Sequence, residues 1–200
     1  MSKIVAIVGR PNVGKSTLFN RLTGNHRAAI IHDSSGVTRD RHYGVGEWQT
    51  REFVLIDTGG YVTGSNDFFE TAIRKQVETA IQESDLLLFM VDVDAGITDE
   101  DVAFAKFLRK SSKPVVVVAN KTDNHARISQ AAEFYKLGFD DIFSVSSING
   151  SGTGDMLDKV IENLGVEEVV EKDDELPKFT IVGRPNVGKS TFLNTLLGEE

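Results

Sequence analysis

Hydrophobic residues along this chain fall into two alternating kinds of stretch. Short, unbroken apolar runs rich in β-branched residues occur at Ile4–Val8, Phe53–Ile56, Leu86–Val91, Val115–Ala119 and Ile142–Val145. Runs of this length without polar alternation suit strands covered on both faces. Between them lie Lys15–Leu22, Phe68–Gln82, Asp99–Arg109, Ile128–Leu137 and Thr153–Leu164, whose amphipathic spacing reads as covering helices. The alternation predicts a three-layer α/β domain with a mostly parallel sheet. Tyr43–Thr50 alternates around Val45 and Trp48, and Thr50-Arg51 reads as a turn into the next strand, which adds one antiparallel edge.

The pattern also divides the chain. The first domain is expected to span 1–164. From Gly165 to Pro177 the composition shifts to Glu167, Glu168, Glu171, Asp173, Asp174 and Glu175, an acidic connector too polar to build a core. Residues 178–200 then restart the first domain: Phe179–Val182 repeats the opening strand, and only one helix's worth of chain follows. A piece that short cannot bury a self-sufficient core, so it either lacks fixed structure or uses a neighbour's surface.

The repeat is chemical as well as structural. Ile-Val-Gly-Arg-Pro-Asn-Val-Gly-Lys-Ser-Thr occurs from Ile7 to Thr17 and again from Ile181 to Thr191. Both copies fit G-x-x-x-x-G-K-[ST], in which backbone N–H groups of a Gly-rich turn and a helix N-terminus surround phosphate oxygens. In the first copy the loop comprises Gly9, Arg10, Pro11, Asn12, Val13, Gly14, Lys15, Ser16 and Thr17; in the second, Gly183, Asn186, Gly188, Lys189 and Ser190 hold the defining places. The lysine supplies positive charge to β- and γ-phosphates, and the serine hydroxyl can ligate Mg²⁺.

Two further elements follow strands, where open α/β sheets place ligands. Asp57-Thr58-Gly59-Gly60 provides a carboxylate able to hold Mg²⁺ through water and a glycine N–H able to approach a γ-phosphate. Asn120-Lys121-Thr122-Asp123 supplies base recognition. Guanine presents two adjacent donors that one carboxylate accepts together, whereas adenine would leave Asp123 unpaired, so the tetrapeptide predicts GTP over ATP. Asn120 is expected to bond the base edge and tie its loop to the phosphate loop, with the Lys121 stem along the base and its ammonium in solvent.

Composition narrows the setting. The chain has no cysteine, which excludes disulfides and thiolate metal sites, and no apolar run approaches the length of a spanning helix. No signal-peptide pattern opens it, and we expect a cytoplasmic monomer without a membrane partner. A net charge of −8 argues against broad nucleic-acid binding by this stretch.

Gly9 to Ser16, Thr38, Asp57 to Gly60, Asn120 to Asp123 and Ser146-Ser147 resemble the successive G motifs of the translation-factor-like branch of P-loop GTPases. The tandem loops resemble, more narrowly, the tandem-domain ribosome-assembly GTPases of bacteria. That resemblance implies binding of GTP and GDP with Mg²⁺, hydrolysis of GTP, and a role in late maturation of the large ribosomal subunit and its RNA. It also implies a full second GTPase domain and an RNA-contacting KH-like domain in longer relatives. Thr38 would be the switch threonine that reaches Mg²⁺ and the γ-phosphate in the GTP state. Ser146-Ser147 departs from the usual Ser-Ala, at a position expected to offer a backbone N–H to the guanine carbonyl.

Tyr61 stands where many GTPases carry the glutamine that orients the attacking water, so hydrolysis must be organised differently. Either intrinsic turnover is poor and the domain acts as a binding switch, or, as the resemblance implies for a loop asparagine such as Asn12, a K⁺ ion beside the phosphates stabilises developing charge. Lys15, Thr38, Gly60 and Asn12 are then the catalytic candidates. A nucleotide-gated interaction module and a P-loop ATPase are the competing classes. His26, His32, His42 and His125 lack metal-ligand spacing, Arg39 and Arg41 read as exposed loop residues, and Phe68-Phe69 and Trp48 as packing.

Overall fold

The computed structural model describes residues 3–24, 42–59 and 78–165, together with Arg184, Gly188, Lys189, Thr191, Phe192 and Thr195. The chain divides into two compact units, Met1–Val169 and Val170–Glu200. The first contains β1 (Ile4–Val8), α1 (Lys15–Thr23), β2 (His42–Trp48), β3 (Arg51–Asp57), α2 (78–83), β4 (Leu86–Asp92), α3 (Asp99–Leu108), β5 (Val115–Asn120), α4 (His125–Gln130), a 3₁₀ helix (Ala131–Leu137), β6 (Ile142–Val145) and α5 (Thr153–Leu164). The strands form one sheet in the order β2-β3-β1-β4-β5-β6. Among the described strands, only β2 and β3 pair antiparallel; β1 pairs parallel with β3 and β4, and β5 with β4 and β6.

Side chains of the parallel strands alternate between two cores, one on each face. Val5, Ile7, Leu86, Leu88, Met90, Val116 and Val118 join residues of α1 and α5, whereas Ala6, Val8, Leu87, Phe89, Val91, Val117 and Ala119 join residues of α3 and the 3₁₀ helix. This is the period of two expected of a strand, buried from both sides. The expected three-layer α/β architecture with one antiparallel edge is the one formed. β1 lies between β3 and β4, so the chain leaves it at the point where the winding reverses, the crevice in which such sheets bind ligands.

Three local features differ from expectation. The hairpin turn is Gln49-Thr50 rather than Thr50-Arg51: both residues adopt positive φ, 50° and 62°, and Arg51 already pairs with Trp48. Two left-handed residues make the turn whose twist matches antiparallel strands, a geometry neither Gln nor Thr signals in a sequence. Secondly, the stretch expected as one helix over Ile128–Leu137 is α4, which starts at His125 behind the Asn124 cap, followed by the 3₁₀ helix. Ala131, Phe134 and Leu137, spaced by three and all buried, fit the three-residue turn of a 3₁₀ helix. Thirdly, β3 and β5 run one residue farther than their apolar runs, so Asp57 and Asn120 end strands instead of opening loops. Of the helix expected over Phe68–Gln82, the part before residue 78 lies outside the described residues.

Two ends are fixed, one by side chains and one by a glycine backbone. The edge hairpin is tied to α5 where Trp48 Nε1 and Gln49 Nε2 donate to Asp158 Oδ1 at 2.7 and 2.8 Å. α5 itself presents Met156, Leu157, Val160, Ile161 and Leu164 to the core and stops at Gly165, whose φ of 56° suits a left-handed cap. The stretch expected as an acidic connector, beyond Gly165, lies outside the described residues.

Candidate functional site

Glycine makes the loop after β1 possible. Gly9 has φ 145°, and a Cβ there would sit 2.4 Å from the Met90 carbonyl oxygen. Asn12, at φ 64°, is a non-glycine residue type that tolerates the left-handed region. Val13 is fully buried, and Gly14 at φ 102° starts α1. That helix has neither a side-chain cap nor an acidic residue in its first turn. Its positive end therefore suits an anion.

Lys15 folds back across the loop. Its Nζ donates to the carbonyl oxygens of Gly9 at 2.9 Å and Arg10 at 2.8 Å. An ammonium has three N–H groups, so one remains for an incoming oxygen. Burial lowers the Lys15 pKa from its ordinary value; Asp57 opposes that shift and Arg10 adds to it. An anion arriving here would favour the charged amine.

Asp57 ends β3 with 2% exposure, and its Oδ1 accepts the Gly59 N–H at 2.7 Å. Thr58 Oγ1 donates to Ile7 O at 2.8 Å, locking this turn to β1. A Cβ on Gly59 would lie 2.9 Å from Asp57 Oδ1 and 3.2 Å from both Ser16 Oγ and Lys15 Cε. Ser16 and Asp57 thus offer hard oxygen atoms around one small space beside Lys15, a donor set that fits Mg²⁺. Ser16 and Thr17 are exposed on the first turn of α1. Thr38, Gly60 and Tyr61 lie outside the described residues.

Asn120 joins the phosphate loop to the last loop of the sheet. Its buried side chain donates from Nδ2 to Val13 O at 2.7 Å, while Oδ1 accepts Ser147 N–H and Ser147 Oγ–H, each at 2.9 Å. The expected tie to the phosphate loop is present. Asp123 is exposed enough to meet a ligand, yet it is oriented: Ser146 Oγ donates to its Oδ1 and Arg127 Nη1 to its Oδ2 at 3.4 Å. Ser146 and Ser147 are buried, and their backbone N–H groups bond Ser151 O and Asn120 Oδ1.

Lys121 differs from expectation. Its ammonium does not stand in solvent but meets Asp92 Oδ2 at 2.6 Å, with the backbone at φ 71°. Asp92 ends β4 next to Asn120, so the pairing follows from strand register. It belongs to a wider set of charges. Arg10 of the phosphate loop lies 3.8 Å from Asp92 and 3.5 Å from Asp101, which also closes the capping box of α3 with Thr98. Arg127 bridges Asp123, the Lys121 carbonyl at 3.2 Å and Asp94 at 2.8 Å. Asp92, Asp101 and Arg127 stand outside the sequence motifs. The available signals were the i,i+4 spacing of Asp123 and Arg127 and the Thr-x-x-Asp box.

In the second unit, Lys189 Nζ donates to Arg184 O at 2.8 Å, Gly188 has φ 87°, and Phe192 N–H bonds Gly188 O at 2.9 Å. The first loop has the same relations between Lys15 and Arg10, at Gly14, and between Leu18 and Gly14. Gly183, Asn186 and Ser190 lie outside the described residues.

The chain matches the family described as 50S ribosome-binding GTPase over residues 4–121 and 178–200. It is 57% identical over 201 residues to GTPase Der of Christiangramia forsetii and 54% identical over 200 residues to GTPase Der of Bacteroides fragilis strain YCH46, covering 100% of this chain and 46% of each relative. It spans about half the length of the curated relatives it matches. Among solved structures, Era in complex with MgGDPNP and a segment of 16S ribosomal RNA superimposes with TM-score 0.66 at 27% identity, over 93% of this chain and 61% of that one. An Aquifex aeolicus Era variant bound to GDP·AlF4⁻ gives 0.66 at 28%, over 92% and 63%. The G domain of the T. maritima FeoB transporter, at 24% identity and TM-score 0.62 over 82% and 99%, shares the fold. Matched over residues 4–121 and 178–200, the chain belongs to the 50S ribosome-binding GTPase family.

Proposed function

We propose that the first unit binds GTP, hydrolyses it to GDP and phosphate, and serves as a switch in a factor that assembles the large ribosomal subunit. The observation that carries this reading is Asn120, whose one buried side chain holds a phosphate-type loop and a base-type loop in fixed relation. Gly9 to Thr17 cradle the phosphates, with the third Lys15 N–H on a phosphate oxygen. Asp123, aimed by Ser146 and Arg127, accepts the two guanine donors, and the loop at Ser146-Ser147 faces the guanine carbonyl.

Ser16, Asp57 and, in the GTP state, Thr38 would hold Mg²⁺, which supplies neutralisation of the phosphate charge. Asn12 would hold K⁺, contributing further positive charge. Gly60 N–H would meet the γ-phosphate and, with Thr38, order around it, so that a positioned water attacks in line; after phosphate leaves, both loops lose that anchor. The site would lie in a first GTPase domain at 1–164, followed by an acidic linker at 165–177 and the opening of a second GTPase domain at 178–200. The protein would be a cytoplasmic monomer whose contacts with the large subunit and its RNA lie mainly beyond this chain. Support comes from the family match, the Der relatives and the Era structures.

The test is multiple-turnover phosphate release from GTP in KCl and in NaCl at equal ionic strength, with Lys15→Ala and Asn12→Ala alongside. Turnover raised by K⁺ and lost in both variants is expected. Equal rates in the two salts would remove K⁺ from the mechanism. GTP binding without Lys15-dependent turnover would leave a nucleotide-gated binding module in place of an enzyme.

A further inference from the structure

Arg21 lies at the far end of α1 from the phosphate loop, is exposed, and belongs to none of the motifs above. Its guanidinium nevertheless reaches the loop after β6: Nε donates to the Ser147 carbonyl at 2.6 Å and Nη2 to the Ile148 carbonyl. The loop closes around it. Gly150 has φ 88°, and a Cβ there would lie 2.8 Å from Arg21 Nη1. A planar fork holding two successive carbonyls fixes two peptide planes, which a point charge could not do as well.

The consequence follows from peptide geometry. A trans peptide directs its C=O and N–H to opposite sides. With the Ser147 and Ile148 carbonyls drawn toward α1, the N–H groups of Ile148 and Asn149 turn away from it. Asn149 N–H shows where that side is, for it meets Ser146 Oγ at 3.3 Å, and Ser146 Oγ in turn donates to Asp123. The Ile148 N–H, turned away from α1 in the same sense, is directed to the side of Ser146 and Asp123. Ser147 N–H is already shared with Asn120.

We propose that Arg21 is a positioning residue for base selectivity: by holding the Ser147 and Ile148 carbonyls it aims the loop's backbone donors at the O6 carbonyl of guanine. This rests on the guanine reading of the site. Arg21 touches no ligand and acts through the loop, whereas Asp123 is held separately by Arg127 and keeps its contacts with N1–H and the N2 amine. In the repeat, Thr195 occupies the corresponding place and its Oγ1 donates to Thr191 O at 2.8 Å, so that helix does not carry the same fork.

The experiment is equilibrium competition against a fluorescent guanine nucleotide, using the whole 200-residue chain, with GDP, IDP and the diphosphate of 2-aminopurine riboside. IDP lacks the N2 amine and keeps O6 and N1–H; 2-aminopurine keeps the amine but lacks both O6 and N1–H, so the Arg21 effect is read as the change in each ratio between wild type and variant. One or two hydrogen bonds losing their alignment correspond to about a 3–10-fold effect. Arg21→Ala is expected to cut the preference for GDP over the 2-aminopurine nucleotide by that factor, leaving the GDP to IDP ratio unchanged. Arg21→Lys should restore part of it. If both ratios shift together, or neither shifts while circular dichroism shows a folded chain, the proposal fails. Wild-type chain that prefers neither GDP nor IDP over the 2-aminopurine nucleotide would instead overturn the guanine reading.

Discussion

Replacing Asn120 with alanine removes the junction on which the two halves of the site depend. Three hydrogen bonds are lost, at 2.7, 2.9 and 2.9 Å, from a side chain in a residue only 3% exposed. A net 0.5–1.5 kcal/mol per bond gives about 3 kcal/mol in all, and the Val13 carbonyl and Ser147 N–H left behind stay buried, which keeps the loss from being small. With a urea slope of about 2 kcal/mol/M, the midpoint should fall by about 1.5 M without a change in slope. Asn120→Asp keeps the acceptor for Ser147 but sets an oxygen against the Val13 carbonyl. Its folded-state pKa should rise above the unfolded value, so its deficit relative to wild type is largest at neutral pH and shrinks as pH falls through that raised value. Urea titrations monitored by circular dichroism and GDP titrations of the same samples read both effects. A loss under about 0.5 kcal/mol for Asn120→Ala would refute the reasoning, because the three bonds would then add nothing to water's own.

Gly14→Ala should cost about 2–4 kcal/mol, from left-handed strain and from a Cβ 2.3 Å from Asn120 Nδ2, whereas Gly165→Ala, with nothing within 4 Å, should cost only about 1 kcal/mol; urea midpoints compare them. Asp123→Asn should lower GDP affinity at least about 10-fold and raise that for XDP, whose 2-oxo group accepts from an amide, as competition titration would show. Tripolyphosphate, which has no base to titrate, should bind best while Lys15 is charged and weaken as pH rises through a pKa that burial holds below 10.5. Lys15→Arg, charged throughout, should lack that alkaline decline in calorimetric titrations.

The apolar runs disclosed the sheet because each central strand is buried from both sides, and the repeated glycine-lysine loop disclosed the phosphate-type end because its backbone geometry demands glycine at fixed places. The tie from Asn120 to the phosphate loop was legible too. What stayed hidden depends on contacts distant in sequence. Arg21 meets Ser147 and Ile148 only once α1 and β6 are packed on the same sheet. Lys121 finds Asp92 because neighbouring strands end in register. Arg10 reaches Asp92 and Asp101 across separate elements, and no local pattern announces such an ion pair. The turn at Gln49-Thr50 lies one residue before the position the sequence suggests for a different reason: the twist of the hairpin imposes positive φ on residues with no intrinsic preference for it.

Equilibrium competition between GDP and ADP for this chain, with Asp123→Ala and Lys15→Ala as controls, tests the central claim most directly. Two charge-assisted bonds from guanine to Asp123, about 1.5–3 kcal/mol each, should make GDP at least about 100-fold tighter than ADP, with the preference lost in Asp123→Ala and overall affinity lost in Lys15→Ala. Equal affinity for the two nucleotides, or a preference that survives Asp123→Ala, would contradict it.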